Sequence, residues 1–219
     1  MDKYFIKHDG TPREILFLQT TGCKWGNCEF CDYRHEVVDN PYQLNLPILE
    51  QVTGLYKTLD LIVTGSFCEL DANTLKKLKE IIVEKNIETL FCDFHYMYRS
   101  RVKQTKEFFA PCDVKVRCMV GSFYPMKRLR LKKGLSSAIT TAEIASDFQG
   151  ANLICCINGD TQESILIDIT EGLQYFEFLT IRMVHVTTGP LRRDESLAQW
   201  FMHALYPTLK KNPRITIEL

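Results

Sequence analysis

An α/β fold, a curved parallel sheet with helices outside it in a partial βα barrel, is predicted by three features of the 219-residue sequence. Short apolar runs of strand length alternate with longer stretches in which apolar residues recur at helical spacing. Helical crossovers between buried strands imply parallel neighbours. The alternation yields about six or seven strands, too few to close an eight-stranded barrel. Internal repeats and shifts of composition are both absent, so a single domain over residues 1–219 is expected.

The elements follow in order. Ile15-Leu16-Phe17-Leu18 reads as the first buried strand, residues 46–57 as a helix, and the apolar run 59–64 as the second strand. Residues 75–85 alternate charged and apolar positions as an amphipathic helix does, and 89–94 supply the third strand. A helix near 101–109, a strand at 114–120, a helix at 141–148 and a strand at 152–157 continue the pattern. A helix at 165–175, a strand at 179–186, a helix at 195–205 and a last strand near 215–218 complete it. In such folds the chemistry sits beyond the C-terminal ends of the strands.

Composition narrows the function classes. No run approaches the roughly 18 apolar residues of a membrane helix, and the first residues do not lead into a signal peptide, so no membrane partner and a cytoplasmic location are expected. With 27 basic and 27 acidic residues the formal net charge is zero, so no global field draws the chain onto a phosphate backbone, and nucleic acid is not the expected partner. Most of the nine cysteines stand singly in apolar runs, as reduced core thiols do.

Cys23, Cys28 and Cys31 differ, because C-x4-C-x2-C leaves the first strand at the functional end. Three thiolates on a four-iron cluster leave one iron open to a chelating substrate. His35 would instead complete a three-cysteine, one-histidine zinc site, the reading in which the chain is a binding module without catalysis.

The loop Thr20-Thr21-Gly22-Cys23-Lys24-Trp25-Gly26-Asn27-Cys28-Glu29-Phe30-Cys31 resembles that of the radical S-adenosylmethionine superfamily, with one residue more than its commonest C-x3-C-x2-C spacing. The resemblance implies a partial (βα)6-type radical SAM barrel, a 4Fe-4S cluster on the three cysteines, S-adenosyl-L-methionine as cofactor, and an electron donor such as flavodoxin or ferredoxin. Phe30 matches the aromatic position whose ring packs near adenine. Thr64-Gly65-Ser66-Phe67 is similar to the motif that receives the methionyl ammonium, through Gly65 and Ser66. In Val120-Gly121-Ser122-Phe123, Ser122 is placed to bond the ribose, and Arg128 in the helix that follows to pair with the methionyl carboxylate. Residues 127–134 also read as a basic helix end capped by Gly134. Ile157-Asn158-Gly159 resembles the adenine-packing turn, with Ile157 on the ring and Gly159 beside it, and backbone near Val186 is expected to complete that site.

With the chain ending soon after its last strand, the expectation is a small substrate or one presented by a partner. Among small stand-alone members the likeness points to a queuine-like 7-deazaguanine base. Hydrogen abstraction from the cyclopentenediol would precede cleavage of the carbon–nitrogen bond, releasing 7-aminomethyl-7-deazaguanine. The base calls for a carboxylate against its donors and a flat wall against its ring. In Asp93-Phe94-His95-Tyr96-Met97-Tyr98-Arg99, strand alternation puts Asp93 and His95 on one face. Asp93 is expected to read the base edge and His95 to contact the diol or donate a proton, with Tyr96, Arg99, Asn158, Arg182 and His185 as further contacts. Glu69 or Asp160 are alternative base-edge carboxylates. A tRNA-modifying enzyme using the basic run 127–133 on phosphate stays open, and a lateral sheet edge leaves a homodimer open.

Overall fold

The computed structural model describes residues 2–8, 10–184 and 190–218, with the backbone alone for residue 34. The chain divides into two compact units, Met1–Gly26 with Tyr33–Val116, and Asn27–Asp32 with Arg117–Leu219. Among the described residues there are eight strands, one or two more than the apolar runs suggest.

In the first unit β1 (Tyr4–Lys7) pairs antiparallel with β2 (Arg13–Leu18), which runs parallel to β3 (Thr58–Val63), itself parallel to β4 (Thr89–Phe94). The wholly parallel sheet expected from the sequence is therefore corrected to a mixed one. Tyr4-Phe5-Ile6-Lys7 escapes detection because four residues, none fully buried, carry too short an alternation. Arg13 and Asp60 form a buried ion pair at 2.8 Å between β2 and β3.

The helix expected at 46–57 is corrected to α1 (Pro41–Leu49). Pro41 favours the start by supplying a helical φ where no N–H is needed. Beyond the helix, the Glu14 carboxylate takes the N–H groups of Thr53 and Leu55, both at 2.8 Å, fixing a turn. Next, α2 (Ala72–Glu84) starts at Asp71, whose side chain accepts from the N–H groups of Asn73 and Thr74. A 3-10 helix, Tyr96–Arg101, leads into α3 (Val102–Phe109).

The strand β5 (Asp113–Gly121) begins in the first unit and runs into the second, where it pairs parallel with β6 (Gly150–Cys155). Parallel pairing continues to β7 (Phe178–Met183) and β8 (Ile215–Glu218). The helices are α4 (Pro125–Leu131), α5 (Thr141–Asp147), α6 (Gln162–Tyr175), α7 (Glu195–Trp200) and α8 (Tyr206–Leu209). Helix α6 lies on β6 and β7, and a Cβ on its Gly172 would stand 2.8 Å from the Leu179 methyls.

Three boundaries are corrected. Cys156 turns to φ +60°, so β6 covers 150–155 instead of 152–157, and Ile157 forms a bridge with Arg193. A π-helical turn, Phe201–Leu205, separates α7 from α8 within the expected 195–205 helix. Lys132 at φ +50°, not Gly134, takes the left-handed position that ends α4.

Candidate active site

In the first unit the cysteine loop leaves β2 from a buried web of amides and hydroxyls. The Gln19 N–H donates to Asn45 Oδ1 at 2.7 Å, and Asn45 Nδ2 returns a bond to the Gln19 carbonyl at 2.9 Å. Thr64 Oγ1 donates to Gln19 Oε1 at 2.9 Å and accepts from the Thr20 N–H at 3.0 Å, while Thr20 Oγ1 donates to the Thr64 carbonyl at 2.8 Å. Asn45 also reaches Thr74 Oγ1 at 3.1 Å, and Thr74 donates to Asp71 Oδ2 at 2.6 Å. Every buried polar atom of this web has a partner, which fixes where the loop starts. Sequence reasoning missed it, since a buried asparagine in α1 gives no periodic signal.

Glu69, 7% exposed, joins three segments. Its Oε2 accepts from the Ser66 N–H at 2.8 Å, and its Oε1 accepts from the Lys24 N–H at 3.1 Å and the Tyr98 hydroxyl at 2.8 Å. Three of the roughly four acceptor sites of Glu69, an alternative base-edge carboxylate, are thus taken up in holding the loops. Tyr98 responds to this burial and to the carboxylate, which raise its pKa above the usual phenol value. Gly65, at φ +150°, is needed at this point: a Cβ would stand 2.3 Å from Glu69 Oε2 and 3.4 Å from the Cys23 Cα.

At the end of β4, Asp93 and His95 are both buried, as alternation predicts. The His95 N–H donates to Ser66 Oγ at 3.1 Å, and its Nδ1 accepts from the Met97 N–H at 3.3 Å. An accepting Nδ1 places the neutral ring's proton on Nε2. The imidazole stacks on Trp25, with centroids 5.3 Å apart. Trp25, between the first two cysteines, is a contact the sequence did not single out. Tyr96 carries the Arg99 guanidinium over its ring at 4.9 Å, on an exposed turn.

In the second unit Ser122 Oγ donates to Asp168, 2.8 Å from each of its oxygens, and Asp168 also accepts from the Phe123 and Tyr124 N–H groups at 2.6 and 3.1 Å. Lys127, buried, donates to Asp160 Oδ2 at 3.0 Å and the Ile154 carbonyl at 2.5 Å, and lies 3.5 Å from Asp168 Oδ2. Burial pushes the Asp168 carboxyl above its usual range, opposed by Lys127 and these donors. Asp160, the other alternative base-edge carboxylate, is thereby engaged by Lys127 and the Ile157 N–H. The Arg128 guanidinium donates to the carbonyls of Ile139 at 2.9 Å and Ser137 at 3.4 Å, spending two of its arms on the loop after α4.

Phe30 packs against a buried cluster of Leu131, Ile154, Ile157, Val184 and Leu191, with Lys133 Nζ 5.2 Å above its ring. The structure thus brings the two expected adenine contacts, Phe30 and Ile157, into one apolar wall. Beside it an open groove of about 510 Å³ is lined by Glu29, Arg130, Asn158, Gly159 and Leu191 among others. Gly159, at φ +80°, lets Arg130 reach the Gly159 and Asn158 carbonyls at 2.7 and 2.8 Å. Arg182 pairs with Glu218 at 2.5 Å across β7 and β8. His185 and Val186 lie outside the described residues.

None of the nine cysteines is in a disulfide, and Cys23, Cys28, Cys31 and Cys68 are half-buried while the other five are buried. Burial pushes the Cys68 thiol up to about 12 and that of Cys112 to about 11, so neither offers a thiolate near neutral pH. Among the described residues no three His, Cys, Asp or Glu side chains are gathered as a ready metal site. By the chemistry of the donor set alone, three half-buried thiols spaced C-x4-C-x2-C suit a cluster with an open iron.

No family model and no curated protein matches the chain. Among solved structures it is similar to a queuine lyase from Clostridium spiroforme bound to SAM and queuine. The likeness has 33% identity and a TM-score of 0.92 and covers 100% of this chain and 95% of that one. The α/β partial-barrel fold class read from the sequence is that of this match.

Proposed function

We propose a function for a chain that belongs, on this full-length likeness, to the queuine lyases of the radical S-adenosylmethionine superfamily. It is a lyase that cleaves the carbon–nitrogen bond of queuine and releases 7-aminomethyl-7-deazaguanine. The observation that carries this is 33% identity over the whole chain to an enzyme whose structure holds SAM and queuine.

Cys23, Cys28 and Cys31 would hold a 4Fe-4S cluster. When bound, the cluster supplies the electron that divides S-adenosylmethionine into methionine and the 5′-deoxyadenosyl radical, and a flavodoxin- or ferredoxin-like protein would deliver that electron. The chain's own residues position and protect. Glu69 ties the residue after Cys23 to the Gly65-Ser66 turn, whose open backbone suits the methionyl ammonium. Phe30 and Ile157 offer adenine a dry wall.

Ser122, fully buried and committed to Asp168 and the Tyr124 N–H, would fix the turn after β5 beside the ribose site. Asp93 would read the N–H and amino donors of the base, and His95, oriented by the Ser66 and Met97 bonds and the Trp25 stack, would contact the diol or serve as proton donor. Nine cysteines without a disulfide among them support a reducing compartment, the cytoplasm. No helix among the described residues is long and apolar enough to cross a membrane.

The test is a single anaerobic assay. Reduced, iron-loaded protein given SAM and queuine is expected to form 5′-deoxyadenosine and 7-aminomethyl-7-deazaguanine together. Deoxyadenosine without the base would reject the substrate and keep the radical class. Neither product, with zinc and no iron on metal analysis, would reject both.

A further inference from the structure

Asn152 stands in the middle of β6, a strand buried along its whole length, where an apolar residue is the rule. Its side chain is 4% exposed, and among the described residues neither its Oδ1 nor its Nδ2 has a hydrogen-bond partner. Leaving a buried amide unsatisfied is costly, and native folds rarely tolerate it without a bound group to take the bonds. The neighbours show which face is involved. Leu179 on β7 packs against α6, whereas Asn152 is in register with Thr180, one residue on, and so turns to the opposite face. Thr180 Oγ1 accepts there from Arg117 Nη1 at 3.3 Å. Ile154, two residues on and on the same face as Asn152, belongs to the wall against which Phe30 packs.

A primary amide offers one acceptor beside one donor, and it pairs with a ligand edge that presents a donor beside an acceptor. If the base of the proposed reaction gives its N1–H and one 2-amino hydrogen to a carboxylate, two matched pairs remain, the second 2-amino hydrogen beside N3 and N3 beside N9–H, and only the latter is lost when N9 is substituted. N9–H exists only in the free base. We propose that the Asn152 amide takes N3 and N9–H of the 7-deazaguanine, selecting free base over N9-substituted forms. The assignment rests on the queuine lyase reading and names a specificity residue within it.

The test is equilibrium binding of queuine and of 9-methylqueuine to iron-loaded protein with SAM but no reductant, so that nothing turns over. Wild type is expected to bind 9-methylqueuine about ten- to a hundred-fold more weakly than queuine. Asn152→Leu is expected to lose queuine affinity by a similar factor and to bind both ligands alike. Its ligand-free thermal midpoint should be held or raised, because two unsatisfied polar atoms leave the interior. Asn152→Ser repeats the binding comparison should the leucine variant fail to fold.

Wild-type protein that binds no queuine would reject the enzyme reading itself. Tight binding by wild type with unchanged affinity in the variants would overturn the Asn152 assignment alone, as would indifference to the N9 methyl group. Loss of affinity together with a lowered midpoint would make Asn152 a structural residue.

Discussion

Replacing Glu69 by glutamine should loosen the cysteine loop, and the geometry sets the size of the effect. Three donors converge on this carboxylate, the Ser66 N–H and Tyr98 O–H at 2.8 Å and the Lys24 N–H at 3.1 Å. A glutamine offers one oxygen, so whichever way it turns at least one donor meets an NH2 group. Hydrogen bonds to a charged group contribute about 1.5–3 kcal/mol and neutral ones about 0.5–1.5 kcal/mol. One bond lost and two weakened, with some relaxation, gives a destabilisation of about 2–4 kcal/mol. The assay is guanidinium denaturation of iron-free protein at neutral pH, with iron and sulfide per chain measured after loading. The midpoint should fall with the slope unchanged, and iron retention should fall with it. A stability loss below about 0.5 kcal/mol with full iron content would refute the claim that Glu69 ties the loop down.

Alkylation by iodoacetamide at pH 8, before and after iron–sulfide loading, should show protection on loading at Cys23, Cys28 and Cys31. Half-buried Cys68, its thiol near 12, should stay unmodified in both states, and labelling there would contradict the burial argument. Asp168 binds its proton more tightly in the folded than in the unfolded chain, so the stability it contributes is complete below 3.8 and is lost as pH rises through the raised folded value. Asp168→Asn should flatten denaturation midpoints measured from mildly acid to neutral pH, and an unchanged slope would count against the raised pKa. Asp93→Asn should raise the Michaelis constant for queuine more than it lowers kcat, and an unaltered constant would remove Asp93 from the base edge. Trp25→Ala should lower kcat/KM by about two- to ten-fold, the worth of one aromatic stack, with Trp25→Phe recovering most of it.

Apolar runs located the start of every parallel strand within two residues, because a strand buried on both faces advertises itself by continuous hydrophobicity. β1 carries no such signal, and α1 is displaced because its limits depend on Pro41 and on Glu14, a residue far away in sequence. In the site, what short local patterns carry was legible as expectation: the cysteine spacing, Gly65-Ser66, Phe30 and Ile157. What depends on long-range pairing was not. Glu69 as a clamp, Trp25 beneath His95, and Asp168 holding Ser122 each join residues far apart in the chain, and one sequence records no such pairing.

The buried web under the cysteine loop consists, from Gln19 through Asn45 to Thr74, of side chains that do not ionise at any working pH. Adding protons therefore leaves these amide and hydroxyl links chemically unchanged, while the carboxylates that adjoin them, Glu36, Asp71 and Glu69, carry the loop's other ties. A mildly acid buffer also lowers the thiolate fraction of exposed cysteines and slows their oxidation by air. Storage of purified metal-free protein under such conditions accordingly spares the amide and hydroxyl links of the loop's root, and the return to neutral pH for reconstitution serves the carboxylate ties.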